Sequence, residues 1–120
     1  CMKNYKELTV WKNGISIVKE VYLLSKSFPV EEKYGLVSQM TRAAVSIAAN
    51  VAEGSSRNSD KDYARFIQIA LGSAFEVQTY LVIVKEMNWI DASELSVVEL
   101  RLEEEIKMLH GFLKKLTANS

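Results

Sequence analysis

The stretch LSVVELRLEEEIKMLHGFLKKL, residues 95–116, decides the fold class. Leu95, Val98, Leu102, Ile106, Leu109, Leu113 and Leu116 recur at steps of three and four. That spacing draws one apolar seam along an α-helix. Being close to a heptad, it suits helices packed nearly parallel or antiparallel. Asp91, with Glu94 three residues on, restarts the chain as a helix just upstream. The acidic run Glu103, Glu104, Glu105 reads as a solvated face beside the seam.

Working outward, three further segments read the same way. Residues 60–87 open on Ser59 followed by Asp62, an N-cap signal, and run to a turn at Asn88 or Trp89. Residues 31–53 start with Glu31 and Glu32, which suit the positive end of a helix dipole, and stop at Gly54. Their apolar side is Leu36, Met40, Ala43, Ala44, Ile47, Ala48 and Val51. Residues 9–27 carry Val10, Trp11, Ile15, Val18, Val21 and Tyr22 on one stripe, and Phe28-Pro29 ends them because a residue before proline leaves the α region. Three short connections make sequential helices antiparallel neighbours. The expected architecture is all-α: an up-down-up-down antiparallel four-helix bundle occupying residues 1–120 as a single domain, with helices about 9–27, 31–53, 60–87 and 91–116.

Composition narrows the function classes. The 120 residues carry 15 basic and 15 acidic side chains, so net charge advertises no nucleic-acid footprint, although it leaves room for a local patch. Arg57 and Lys61 flank the second connection, Lys107, Lys114 and Lys115 lie on the fourth helix, and Lys3, Lys6 and Lys12 sit near the start. In an oligomer such patches combine into a ring of positive potential. No apolar run approaches the ~20 residues of a membrane span and no signal peptide is visible. The lone Cys1, before a Met2 that reads as an initiator, has no second cysteine to pair with. A reducing, cytoplasmic setting follows as the expectation.

Catalytic constellations are missing. His110 is the only histidine, so the chain by itself lacks the Cys and His ligands of a zinc site. Glu103, Glu104 and Glu105 stand at the wrong spacing from it for a Glu-x-x-His carboxylate centre. No phosphate-binding glycine loop occurs. The expectation is a protein without catalytic residues, metal or cofactor.

Two surface features carry more information. The third helix turns Phe66, Ala70, Ala74, Val77, Leu81 and Val84 toward one side, and Leu71, Phe75 and Val82, with Ala64 above them, toward another. Either that helix is buried on two sides by its own neighbours, or Leu71, Phe75 and Val82 belong to a subunit interface, with Trp11 and Leu100 as further contributors. The second helix carries a polar stripe of Gln39, Arg42, Ser46, Asn50 and Glu53, and the third offers Arg65, Gly72, Glu76 and Tyr80 with Ser73 at the margin. If the rows meet, Arg42 or Arg65 pairs with Glu53 or Glu76. Gly72, costly inside a helix, is then explained by close packing or a bound partner. Arg42, Ser46, Asn50, Glu53, Arg65, Ser73 and Glu76 make either a network that sets bundle register or a small site for a ligand or an RNA phosphate.

The run GLVSQMTRAAVSIAANVAEG, residues 35–54, resembles the signature of the 23S rRNA intervening-sequence proteins, bacterial four-helix-bundle proteins sometimes called ribosomal-protein-like. The likeness extends through Leu8 to Lys12, Phe28-Pro29, Arg65-Phe66, Ala70 to Ser73 with Glu76, and Met108 to Gly111. Ala48 departs from the proline common in relatives and implies a straighter helix. The resemblance also implies kinship with the accessory protein of diversity-generating retroelements, a pentameric barrel of four-helix bundles that binds nucleic acid and reverse transcriptase. It therefore implies a homo-oligomer, by analogy a pentamer, in which the matched polar residues are structural or interfacial. Two hypotheses follow: a non-enzymatic oligomeric scaffold acting with RNA or a ribonucleoprotein, and a small-ligand or enzyme site in the polar stripe.

Overall fold

A computed structural model of the chain describes residues 4–118, so Cys1 and Lys3 lie outside the described residues. Four helices form the molecule: α1 (Thr9–Ser25), α2 (Ser38–Ser55), α3 (Asp60–Met87) and α4 (Ala92–Ala118). They pack as an antiparallel bundle 46 Å long and 24 by 21 Å across, each helix against its two neighbours and α1 closing on α4. The ends are pinned by aromatic pairs. Phe28 meets Trp89 at one end, and Tyr63 meets Phe112 edge-on at 5.0 Å toward the other.

Local chemistry sets the helix boundaries. Ser59 Oγ accepts the backbone N–H of Asp62, the capping bond read from sequence. Asn88 closes α3 at φ 57°, a left-handed conformation that asparagine tolerates better than most residues. Helix α2 begins later than expected. Glu31 and Glu32 belong to a single 3₁₀ turn at Val30–Glu32, and Lys33–Val37 forms a wider π turn interrupted at Gly35, whose ψ of −105° is not helical. Helix α1 ends at Ser25, two residues short of the expected boundary, where the chain tightens into turns before Pro29.

The buried core also corrects the apolar stripes at both ends of the sequence. On α1 it runs Val10, Gly14, Ile17, Val21, Leu24, leaving Ile15 and Tyr22 substantially exposed. On α4 it runs Leu95, Val98, Leu102, Glu105, Leu109 and Leu116, with Ile106 and Leu113 only half-buried. The strict three-four step therefore passes through a glycine and a glutamate. Gly14 and Glu105 face each other: a Cβ at Gly14 would stand 3.2 Å from Glu105 Oε2 and 3.3 Å from the Cβ of Ala48.

Helix α3 alone among the described residues is long and apolar enough, by length and composition, to cross a membrane. Here it is the central helix, and Ile67, Ala70, Ala74, Val77, Leu81 and Val84 are buried in the core.

Candidate functional site

The polar rows of α2 and α3 do meet, along an open concavity of about 320 Å³ lined by Gln39, Arg42, Ala43, Ser46, Ser73 and Glu76. The Ser73 hydroxyl donates to Ser46 Oγ at 2.9 Å, joining the helices. Asn50 Nδ2 donates to the Ser46 carbonyl and hydroxyl oxygens at 2.8 and 2.9 Å. The Tyr80 hydroxyl lies 2.8 Å from both Gln39 Oε1 and Glu76 Oε2. One phenolic hydrogen serves one acceptor, and a Gln39 amide turned to donate satisfies the other contact. The hydrogen bond to Glu76 holds the Tyr80 phenol above its ordinary value, with burial and the carboxylate's charge adding to it.

The expected arginine pairs across the rows do not form. Glu53 pairs with Arg57 one turn on, at 3.1 Å, and Arg65 pairs with Asp62 on its own helix, also at 3.1 Å. Both arginines lie over the Phe66 ring, at 4.4 and 4.8 Å from its centroid. Side chains three or four residues apart along a helix or its final turn meet without closing a loop, so the local partners win. Arg42 is exposed and, among the described residues, has no carboxylate within 4 Å. Arg42, Ser46, Ser73 and Glu76 thus share the concavity, Asn50 supports it from below, and Glu53 and Arg65 belong to the α2–α3 corner. Gly72 is not a packing glycine: its missing Cβ faces open space. Gly54 is the tight one, where a Cβ would stand 2.6 Å from the Tyr63 ring.

The interface residues divide as well. Leu71 is 7% exposed and lies inside the monomer core, whereas Phe75 and Val82 are 44% and 55% exposed. Leu100, at 61%, joins them as an exposed apolar side chain, and Trp11 is half-buried against Tyr5.

A second polar constellation escaped the sequence reading. Between α1 and α4, Asn13 Nδ2 donates to the Arg101 carbonyl and to Glu105 Oε1, both at 3.0 Å. Arg101 Nε donates to Glu20 Oε1 at 2.6 Å. The second oxygens of Glu20 and Glu105 are buried with no hydrogen-bond partner among the described residues. Burial pushes the Glu105 carboxyl up to about 7, against the lowering effect of the Asn13 bond. From the sequence Glu105 reads as part of a solvated face because it stands in a run of three acids. The signal that finds it is the three-residue step from Leu102, which lands on Glu105 and not on Ile106. Among the described residues no group of acidic, His or Cys side chains is placed to hold a metal ion.

Comparison with known proteins places this geometry. A family model described as 23S rRNA-intervening sequence protein matches residues 6–111. The fold is similar to that of a protein with unknown function from the S23 ribosomal protein family of Bacteroides thetaiotaomicron, with a TM-score of 0.80 at 23% identity over 88% of this chain and 99% of that one. No curated protein matches the sequence.

Proposed function

The chain belongs to the 23S rRNA-intervening sequence protein family, and from that premise we propose that it is a non-enzymatic homo-oligomeric scaffold that acts with RNA or a ribonucleoprotein. The observation that carries this reading is apolar surface left outside a finished core. The monomer buries a complete seam on every helix, yet Phe75, Val82 and Leu100 remain exposed. Exposed apolar surface on a small bundle favours association, because each further Å² of it removed from water contributes about 25 cal/mol. By family analogy the assembly is a pentamer.

Light scattering on the purified protein tests the assembly. A mass several times 13.6 kDa is expected, five times for the pentamer. A monomer at high protein concentration overturns the oligomeric reading.

One observation favours a second reading, a small anionic ligand in the α2–α3 concavity: Arg42, which has no ion-pair partner among the described residues, brings its guanidinium there beside two serine hydroxyls, with Glu76 on the same wall held by Tyr80. Isothermal titration with inorganic phosphate, compared between the wild type and Arg42→Ala, separates the two. Heat lost in the variant supports the ligand site, and no heat in either protein removes it.

A further inference from the structure

The bundle is charge-sorted along its long axis. Gly14, Ala48 and Glu105 meet at one level, with Ser46 and Ser73 joined near it, and together they define a plane across the four helices. On one side lie residues 4–13, 49–72 and 106–118, with eight basic and four acidic side chains. On the other lie residues 14–48 and 73–104, with six basic and ten acidic. A chain of zero net charge therefore consists of one half with four positive charges in excess and another with four negative ones. Helix α4 shows the sorting by itself: residues 106–118 hold Lys107, Lys114 and Lys115 and no carboxylate. A helix dipole favours cations at that end, but it opposes Lys6 and Lys12, which stand around the start of α1. Dipole complementation therefore does not account for the pattern across the bundle.

Six of the eight cations of the basic half are free to bind, while Arg57 and Arg65 are held by Glu53 and Asp62. Lys6, Lys12, Lys61, Lys107, Lys114 and Lys115 are exposed, and none has a carboxylate within 4 Å among the described residues. A concavity of about 440 Å³ opens there between the start of α3 and the end of α4, lined by Ser59, Lys61, Arg65, Gln68 and Thr117, with Ala64 and the Arg65-paired carboxylate of Asp62 completing its wall. Lys114 stands one turn before Thr117.

Apolar surface is sorted the opposite way. Among the exposed large hydrophobic side chains, Tyr22, Leu23, Val82, Met87, Val97 and Leu100 all stand more than a turn inside the acidic half, whereas only Ile69 lies in the basic half. Protein interfaces need an apolar centre, while nucleic-acid interfaces are polar and positively charged. The basic half has the second character and not the first.

We propose that the basic half of the bundle, centred on Lys61, Lys114 and Lys115, is the surface that meets an RNA phosphate backbone, and that the acidic, apolar half is turned away from the RNA toward protein. This deepens the scaffold reading and rests on its RNA arm. It also accounts for binding by a neutral chain, since phosphates respond to the local field of one face and not to net charge. The competing occupant of the basic half is the acidic half of a second copy.

Two triple variants carrying the same change in net charge decide the matter. One is Lys61→Glu, Lys114→Glu, Lys115→Glu. The other is Lys26→Glu, Lys33→Glu, Lys85→Glu in the acidic half. Fluorescence anisotropy with a labelled 23S rRNA hairpin and with a poly(U) oligonucleotide is recorded across a salt series, with light scattering on the same samples. The first triple is expected to weaken binding by at least about tenfold and flatten its salt dependence, and the second by under about threefold. Equal losses in the two triples overturn the proposal while leaving RNA binding intact. A basic-half triple that lowers the oligomer mass also overturns it, in favour of the second copy. A wild type that binds neither RNA at the lowest salt removes the RNA arm itself, and the proposal with it.

Discussion

At the scale of single residues, Glu105 is the position where the energetics are most exposed to test. It is fully buried, accepts one hydrogen bond from Asn13, and leaves its other oxygen against Gly14. A buried carboxyl of this kind folds most favourably with its proton on, because the neutral form costs far less to desolvate. Its folded-state value of about 7 lies above the ordinary 4.5. The stability it contributes is therefore fully present below pH 4.5 and is lost as the pH rises through about 7. The whole swing is at most about 3 kcal/mol. Glu105→Gln keeps an acceptor for Asn13 and cannot ionise. Urea unfolding at a series of pH values should show the variant gaining on the wild type as pH rises from 5 to 8, and a constant difference would mean that Glu105 does not titrate in the folded protein. Composition and periodicity alone hid this residue, since a carboxylate in an acidic run is ordinarily solvated. Only its coincidence with the three-four step, opposite a glycine on α1, marks it as a core position.

At the scale of the helices, two glycines make opposite predictions. Gly54 ends α2 where the chain turns into α3, and a Cβ there would meet the Tyr63 ring at 2.6 Å and the Phe66 Cβ at 2.9 Å. Gly54→Ala should destabilise the bundle by about 1–3 kcal/mol through overpacking, because the obstacles are a buried-edge ring and a Cβ fixed to the backbone. Gly72 sits in the interior of α3 with nothing within 4 Å of the missing Cβ. Gly72→Ala should stabilise the isolated chain by about 1 kcal/mol, the difference in helix propensity. Thermal unfolding of the two variants checks both signs. A loss in Gly72→Ala would mean that another surface approaches α3 there in the assembled protein. Helix identity was legible from sequence at this scale, because apolar spacing and capping residues act locally. The late start of α2 was not, because Glu31 and Glu32 suit a helix start equally well whether one turn or a full helix follows.

At the scale of the whole molecule, the bundle presents an apolar flank and a basic end, and each has its own consequence. Phe75 and Val82 lie on the outer side of α3, and Leu71 beside them is already buried. Phe75→Ser combined with Val82→Asp should reduce the solution mass to that of the 13.6 kDa chain with helical circular dichroism unchanged. An unaltered oligomer mass would place the interface on another flank, such as the one carrying Val97 and Leu100. What the sequence alone determined is the set of four helices, their antiparallel order and the family, because periodicity, caps and short connections are properties of neighbouring residues. The tertiary structure decided which apolar residues remain outside, which arginines take local partners, and that Gly14 makes room for Glu105. Those outcomes depend on how four helices are rotated against one another. A rotation of one residue step moves a side chain by 100° around its helix, from solvent to core, while leaving the sequence pattern almost unchanged.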